Sequence, residues 1–177
     1  MERRKFLFSM GFGLSGLVGC AGRPAPIPPR PAHPSNAPAF DSIDSLLAAD
    51  PDPRRTELVM MALSFIGIPY ILGGTTPERG FDCSGLIAHV YRRTLNQILP
   101  RTTWEQSRIG EPIAVPALRA GDLLFYNTLG RRNSHVALYI GQARFIHAPA
   151  TGGVVSIAAM ATEYWVPRFD GARKVLT

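Results

Sequence analysis

Gly80-Phe81-Asp82-Cys83-Ser84-Gly85, followed by Leu86, Ile87, Val90 and Tyr91, marks the point at which a glycine-bearing loop becomes a helix. Asp82 offers the side-chain oxygen that an N-cap needs, and the apolar residues after it recur at helical spacing. Cys83 therefore opens the first turn. There the helix dipole and the free backbone N–H groups favour a thiolate. The same N–H groups can hydrogen-bond an oxyanion as an acyl carbonyl becomes tetrahedral. Upstream, Asp52-Pro53 combines an N-cap oxygen with proline at the first helical position. Leu58, Met61, Ala62, Phe65 and Ile66 continue a helical stripe that Gly67 and Pro69 end, and residues 70–82 read as a loop. Downstream, Thr102 and Glu105 form a capping-box pair for a short third helix closed by Gly110.

After Pro116 the grammar changes. Asp122–Tyr126, His135–Ile140, Arg144–Ala148, Val154–Ile157 and Lys174–Leu176 are short apolar runs separated by glycine-bearing turns, which predicts antiparallel strands. Helices first and strands second predict an α+β fold, with the nucleophile candidate in the helical half and two histidines in the sheet half. There is no internal repeat.

The two histidines are tied together by register. If Gly141-Gln142-Ala143 is the turn and Ile140 pairs with Arg144, Ala137 lies opposite His147. His135 and His147 then project from one sheet face as diagonal neighbours. A turn with an even number of residues would send them to opposite faces. A thiol acting as nucleophile needs a base within hydrogen-bond reach, and this pair supplies candidates. A strand histidine is more often structural, but two on one face beside a helix-start cysteine favour catalysis. His89, six residues beyond Cys83 on the same helix, reads as a packing or surface residue. The rival chemistry for Cys83, His135 and His147 is zinc binding. They would make only a three-ligand site, and no metal or other cofactor is expected.

Only two cysteines are present, Cys20 and Cys83. Cys20 closes an N-terminal segment with an export pattern: Arg3, Arg4 and Lys5, then an apolar run from Phe6 to Val18. That run is shorter than the ~20 residues a bilayer-spanning helix needs. Leu17-Val18-Gly19-Cys20 resembles a bacterial lipoprotein signal, which implies acylation of Cys20, and Glu2-Arg3-Arg4-Lys5-Phe6-Leu7 resembles a twin-arginine signal without the usual preceding Ser/Thr. Ala21 after the cysteine implies, by the same resemblance, sorting to an outer membrane facing the periplasm. With Cys20 acylated, Cys83 has no partner in the chain, and a free thiol in an oxidising compartment is either buried or used.

Seven of the 16 prolines fall between Pro24 and Pro38. This stretch has no apolar periodicity and predicts an extended tether; residues 21–50 in polyproline form would reach roughly 90 Å. His33 lies within it as a solvated residue. The expected organisation is thus a signal over residues 1–19, a tether over 20–52 and one folded domain over 53–177, with the chain acting as a monomer. The net charge of +6 is carried by the residues from Arg54 onward. A basic surface favours anionic partners. Without a longer Lys/Arg run or a nucleic-acid motif, nucleic acid is not among the partners expected.

Several further motifs coincide with a known pattern. Pro69-Tyr70-Ile71-Leu72-Gly73-Gly74, Phe81-Asp82-Cys83-Ser84-Gly85-Leu86, Leu99-Pro100-Arg101-Thr102, Gly121-Asp122-Leu123-Leu124-Phe125, Ser134-His135-Val136-Ala137-Leu138-Tyr139-Ile140-Gly141 and Phe145-Ile146-His147-Ala148 resemble the NlpC family of cell-wall cysteine peptidases. The resemblance runs from about Thr56 to the C-terminus, in the family's order. It implies a papain-like fold and cleavage of peptidoglycan stem peptides between D-glutamate and meso-diaminopimelate. By position it makes Cys83 the nucleophile, His135 the base, His147 the residue orienting that base, and Tyr70 a donor at the oxyanion site. Arg101 is the candidate for binding substrate carboxylates, its alternative being to brace the third helix. The loop Thr75-Thr76-Pro77-Glu78-Arg79 is about a residue longer than the family's shortest. Two rival functions keep the same sequence features: a non-catalytic lipoprotein that binds wall peptides or scaffolds a hydrolase, and an amidase or acyltransferase using the same triad.

Overall fold

The computed structural model describes residues 51–176. The expectations for the export signal, Cys20, His33 and the proline-rich tether up to residue 50 lie outside the described residues.

Helix α1 spans Pro53–Leu63, with the Asp52 side chain accepting from the Arg54 N–H at 3.0 Å. It buries Leu58, Val59 and Ala62. The stripe continues to Phe65 and Ile66, but the helix ends at Leu63. The Ser64 hydroxyl donates to the Met61 carbonyl at 2.7 Å, the next turns are of the i→i+3 kind, and Gly67 adopts φ 90°. The expected loop over 70–82 contains a small hairpin, β1 (Thr75–Thr76) and β2 (Gly80–Phe81), with Pro77-Glu78-Arg79 at its tip. Helix α2 follows at once as Cys83–Leu95, capped by Asp82 and ended by Asn96 at φ 52°. Arg92 and Arg93 lie in its last turn, where cations suit the dipole. Helix α3 is a single turn, Thr103–Gln106, and carries the capping box of Thr102 and Glu105. Gly110, expected to close it, lies four residues beyond at φ 64°.

Six strands form one antiparallel sheet in the order β3-β8-β4-β5-β6-β7. They are β3 (Glu111–Ile113), β4 (Leu123–Tyr126), β5 (His135–Gly141), β6 (Arg144–His147), β7 (Ser156–Ala159) and β8 (Phe169–Lys174). Two differ in position from the expected runs. Val154 and Val155 first bond to the segment before Tyr70, through a Pro69–Val154 bridge and the Val155 N–H to the Ile68 carbonyl, so β7 begins only at Ser156. Val175 and Leu176 drop into the core, and the strand is the preceding Phe-Asp-Gly-Ala-Arg-Lys. Strand β3 has Pro112 at its centre, which an edge strand tolerates.

Alternation along the central strands divides the interior in two. Val136, Leu138, Ile140, Leu123, Phe125 and Ile146 face helices α1 and α2. Leu124, Tyr126, Ala137 and Phe145 face the other way, under Trp165, Phe169 and Met160. A buried ion pair joins the layers. Arg55 on α1 donates from Nη1 to Asp122 Oδ1 at 2.9 Å and to the Ala120 carbonyl at 2.6 Å. The Tyr91 hydroxyl of α2 donates to the Gly121 carbonyl at 2.6 Å. These bonds set the start of β4 against both helices, which in turn fixes where β5 lies relative to Cys83. The fold is α+β, as the order of elements predicts.

Candidate active site

Cys83 is placed by Asp82. The Asp82 carboxylate accepts from the Gly85 N–H at 2.7 Å, from the Gly73 N–H at 2.9 Å and from Ser84 Oγ at 3.2 Å. Gly85 has to be glycine here, because a Cβ would run into the carbonyl oxygen of Gly74. The 73–74 turn is therefore pressed directly on the first turn of α2. Arg101 completes the arrangement, donating to both Asp82 oxygens at 3.0 and 2.6 Å and to Ser84 Oγ at 2.9 Å. It braces the start of α2 rather than α3, and its side chain remains 44% exposed.

The sulfur itself meets the sheet. Tyr139 uses both its backbone groups toward the β4 side, its N–H to the Asp122 carbonyl and its carbonyl to the Gly121 N–H, each at 2.8 Å. By alternation the Val136 N–H points toward β6, but β6 ends at His147, short of it. That N–H donates instead to the Cys83 sulfur. Cys83 thus sits where β5 and β6 part. Burial pushes its thiol above the ordinary value, and the nearby Asp82 carboxylate adds to this. The N–H groups of Val136, Ser84 and Cys83 pull the other way without reversing it. This corrects the expectation of a resting thiolate: the helix start lowers the cost of the anion, but desolvation outweighs it.

His135 and His147 face each other as the register requires, with His135 Nε2 2.9 Å from His147 Nδ1. The route to that register differs from the expected three-residue turn. Gln142 and Ala143 form a two-residue turn, at φ 51° and 52°, and Gly141 pairs with Arg144. A bulge between Tyr139 and Gly141 then inserts the extra residue, restoring the Leu138–Ile146 pairing that the longer turn would have produced. The bulge undoes the inversion of faces that an even turn alone would cause. Burial pulls His135 down to about 4 and takes His147 well below its ordinary value, so both rings are neutral at pH 7. A charge on one also disfavours a charge on the other.

Tyr70 is brought in by its backbone. Its N–H donates to the Gly153 carbonyl at 2.9 Å, and it bridges to Phe81. Burial and the proximity of Cys83 and Asp82 raise its hydroxyl above the ordinary value, so Tyr70 is a proton-carrying donor at neutral pH. His89 is a packing residue: it lies between Phe65 and Phe81, with Nδ1 3.0 Å from the Thr75 carbonyl, and holds the β1–β2 hairpin to α2. Among the described residues no three His, Cys, Asp or Glu side chains are grouped as metal ligands. Sequence reasoning missed Trp165, which contacts both His135 and His147. Its segment carries no periodicity; a large aromatic beside Tyr164 in a short irregular stretch was the only signal.

Comparison with known proteins agrees with this geometry. The NlpC/P60 family model matches residues 67–174. The gamma-DL-glutamyl hydrolase of Bacillus subtilis is 37% identical over 129 residues, which are 72% of this chain and 31% of that protein. Murein DD-endopeptidase MepH of Escherichia coli is 40% identical over 128 residues, covering 70% of this chain and 47% of the relative. The chain thus spans less than half the length of either. Among solved structures, the NlpC/p60 domain of the peptidoglycan hydrolase SagA superposes with a TM-score of 0.59 at 35% identity, covering 68% of this chain and 97% of that one. An NlpC/P60 family protein from Bacillus cereus gives 0.64 at 34% identity, covering 70% and 40%. With the matched region holding Tyr70, Cys83, His135 and His147 together, the chain belongs to the NlpC/P60 family.

Proposed function

We propose that this protein is a cysteine peptidase that hydrolyses peptidoglycan stem peptides. The observation that carries the reading is the Cys83 sulfur lodged against the backbone beside His135, whose Nε2 is engaged by His147. In this reaction the Cys83 S–H proton passes to His135 Nδ1, the ring nitrogen that His147 leaves unengaged, as the sulfur bonds to the scissile carbonyl carbon. The oxyanion is held by the Cys83 N–H and the Tyr70 hydroxyl. His135 then returns the proton to the leaving amine as the C–N bond breaks, giving a thioester. Water, losing a proton to His135, attacks the thioester, and the proton goes back to sulfur as the acid leaves. His147 accepts the Nε2–H of His135 and sets its tautomer. Arg101, half-exposed and already paired with Asp82, offers its outer face to a substrate carboxylate.

The bond proposed is that between D-glutamate and meso-diaminopimelate, in keeping with a relative named for glutamyl hydrolysis. Relatives named as murein DD-endopeptidases favour a second reading, cleavage of a D,D cross-link. The proposed setting is the cell envelope, with the domain exported and held to the outer membrane through acylated Cys20. Purified peptidoglycan digested with the protein, and mass analysis of the fragments, separates these readings. Free amino groups on diaminopimelate at the glutamyl bond support the first, and loss of cross-linked dimers alone supports the second. No new fragments from an intact Cys83 enzyme would refute hydrolysis.

A further inference from the structure

The His135–His147 hydrogen bond does not by itself hold the two rings. An imidazole turns about a broad, two-fold χ2, and a half-turn exchanges its two edges. Trp165 supplies the missing constraint. Its indole lies 5.7 Å from His135 at 24° between planes and 5.2 Å from His147 at 81°, so one ring bears on both imidazoles in different orientations. Phe145 meets His147 from another side, at 5.2 Å and 78°. Trp165 is itself held against Tyr126 at 4.8 Å and Phe145 at 5.1 Å. Its backbone N–H donates to the Thr162 carbonyl at 3.1 Å. The imidazoles are 2% and 4% exposed, whereas Trp165 keeps part of its surface in solvent. The indole is therefore a layer between the histidine pair and water.

Given the hydrolytic centre proposed above, we infer that Trp165 is a positioning residue: it closes over the His135–His147 bond, fixes both ring planes, and keeps water from them so that His135 stays the neutral acceptor. Removing water matters because hydration favours the charged imidazolium over the neutral ring. Around the pair, Tyr126 on β4 lies opposite His135 in register and packs on Trp165, Tyr164 packs on the other side of Trp165 under Arg168, and Cys83 at the start of α2 takes the N–H of Val136, the residue after His135. Among the described residues no carboxylate shifts either imidazole, so burial governs when His135 takes a proton.

Two measurements test this, one of them independent of catalysis. Trp104 and Trp165 are the two tryptophans, so Trp104→Phe leaves Trp165 as sole emitter. A protonated imidazole in ring contact quenches indole emission. The full chain carrying Trp104→Phe should lose emission on acidification, with a midpoint near 4, and replacing both His135 and His147 by Asn in that background should remove the step. An acid step unchanged by the paired replacement overturns the inference, whatever the protein's activity. The second measurement is kcat/KM against pH on a stem-peptide substrate. Trp165→Ala should move the acid limb up by about one pH unit or more, toward an ordinary histidine, and lower kcat about tenfold with little change in KM. Trp165→Phe should restore most of both. A Trp165→Ala enzyme that melts like wild type and keeps its acid limb would overturn the inference. An inactive wild type would refute hydrolysis, and the emission step would still decide whether Trp165 covers His135.

Discussion

Acidification from pH 7.5 to 5 should cost this domain stability through its two buried histidines. The ordinary pKa of His135 is 6.5, and burial lowers it in the fold to about 4. A group whose folded pKa is depressed contributes stability that is complete above its unfolded value. That stability is lost as pH falls from there toward the folded value, because the unfolded chain takes up the proton first. For His135 alone, the loss between pH 7.5 and 5 comes to about 2 kcal/mol. His147 moves in the same direction, though repulsion between two charged rings means the pair takes its first proton as a unit. The lowered carboxylates Asp52, Glu78 and Glu105 titrate below this window and do not confuse it.

Urea unfolding followed by far-UV circular dichroism, at matched ionic strength, reads this directly. A loss of about 2 kcal/mol should move the midpoint by about 1 M. His89 is also lowered by burial and contributes in the same sense. The control is therefore a His135→Asn, His147→Asn double variant, which should retain only the smaller slope due to His89. If the wild-type midpoints at the two pH values agree within about 0.2 M, the imidazoles are not held neutral by burial. If the double variant declines as steeply as wild type, the acid sensitivity belongs elsewhere.

Cys83→Ala should abolish stem-peptide hydrolysis with an unchanged melting temperature. Activity should fall in the order wild type, His147→Asn, His147→Ala, His135→Ala, since an asparagine carbonyl can accept the Nε2–H bond and alanine cannot; full activity in His147→Ala would remove it from the mechanism. Gly85→Ala should lower stability by roughly 2–3 kcal/mol and activity with it, because a methyl there displaces the Gly74 carbonyl; an equally stable, equally active variant would show that the 73–74 turn is not pressed on α2. Cys20→Ser should release the protein from washed membranes while leaving the activity of the domain intact, and continued sedimentation with membranes in high salt would exclude lipid anchoring.

Capping and periodicity made the helical half legible, and both marks are local. Asp52, Asp82 and the Thr102–Glu105 box act within one turn, so adjacent residues carry the whole signal. The central strands were legible for a similar reason, being buried on both faces and built around apolar runs. The edges of the sheet were not. Pro112 disguises β3, and β8 reads Phe-Asp-Gly-Ala-Arg-Lys, a part-exposed and largely polar segment with no apolar run to mark it. The β5–β6 hairpin is the instructive case. The facing of the histidines was read correctly from an odd turn that does not exist, because a bulge at Ile140 has the same parity as an added turn residue. Sequence parity counts residues and cannot say whether the odd one lies in the loop or in the strand.

The resting charge of the site was the least legible feature, since it depends on burial from several elements at once. Asp82–Cys83 at a helix start argues for a thiolate, but the part-exposed Cys83 packs where β5 and β6 diverge, and the desolvation there raises its thiol instead. The same sheet face that aligns His135 with His147 also covers them with Trp165. Thiol and imidazole are then both neutral, which is the arrangement that desolvation favours. Under the proposed reaction the proton transfer that makes the nucleophile is uphill until an oxyanion is forming beside the Cys83 N–H and the Tyr70 hydroxyl. A thiol held in this state reacts slowly with a small alkylating agent, which brings no carbonyl to those donors, and quickly with a peptide that does.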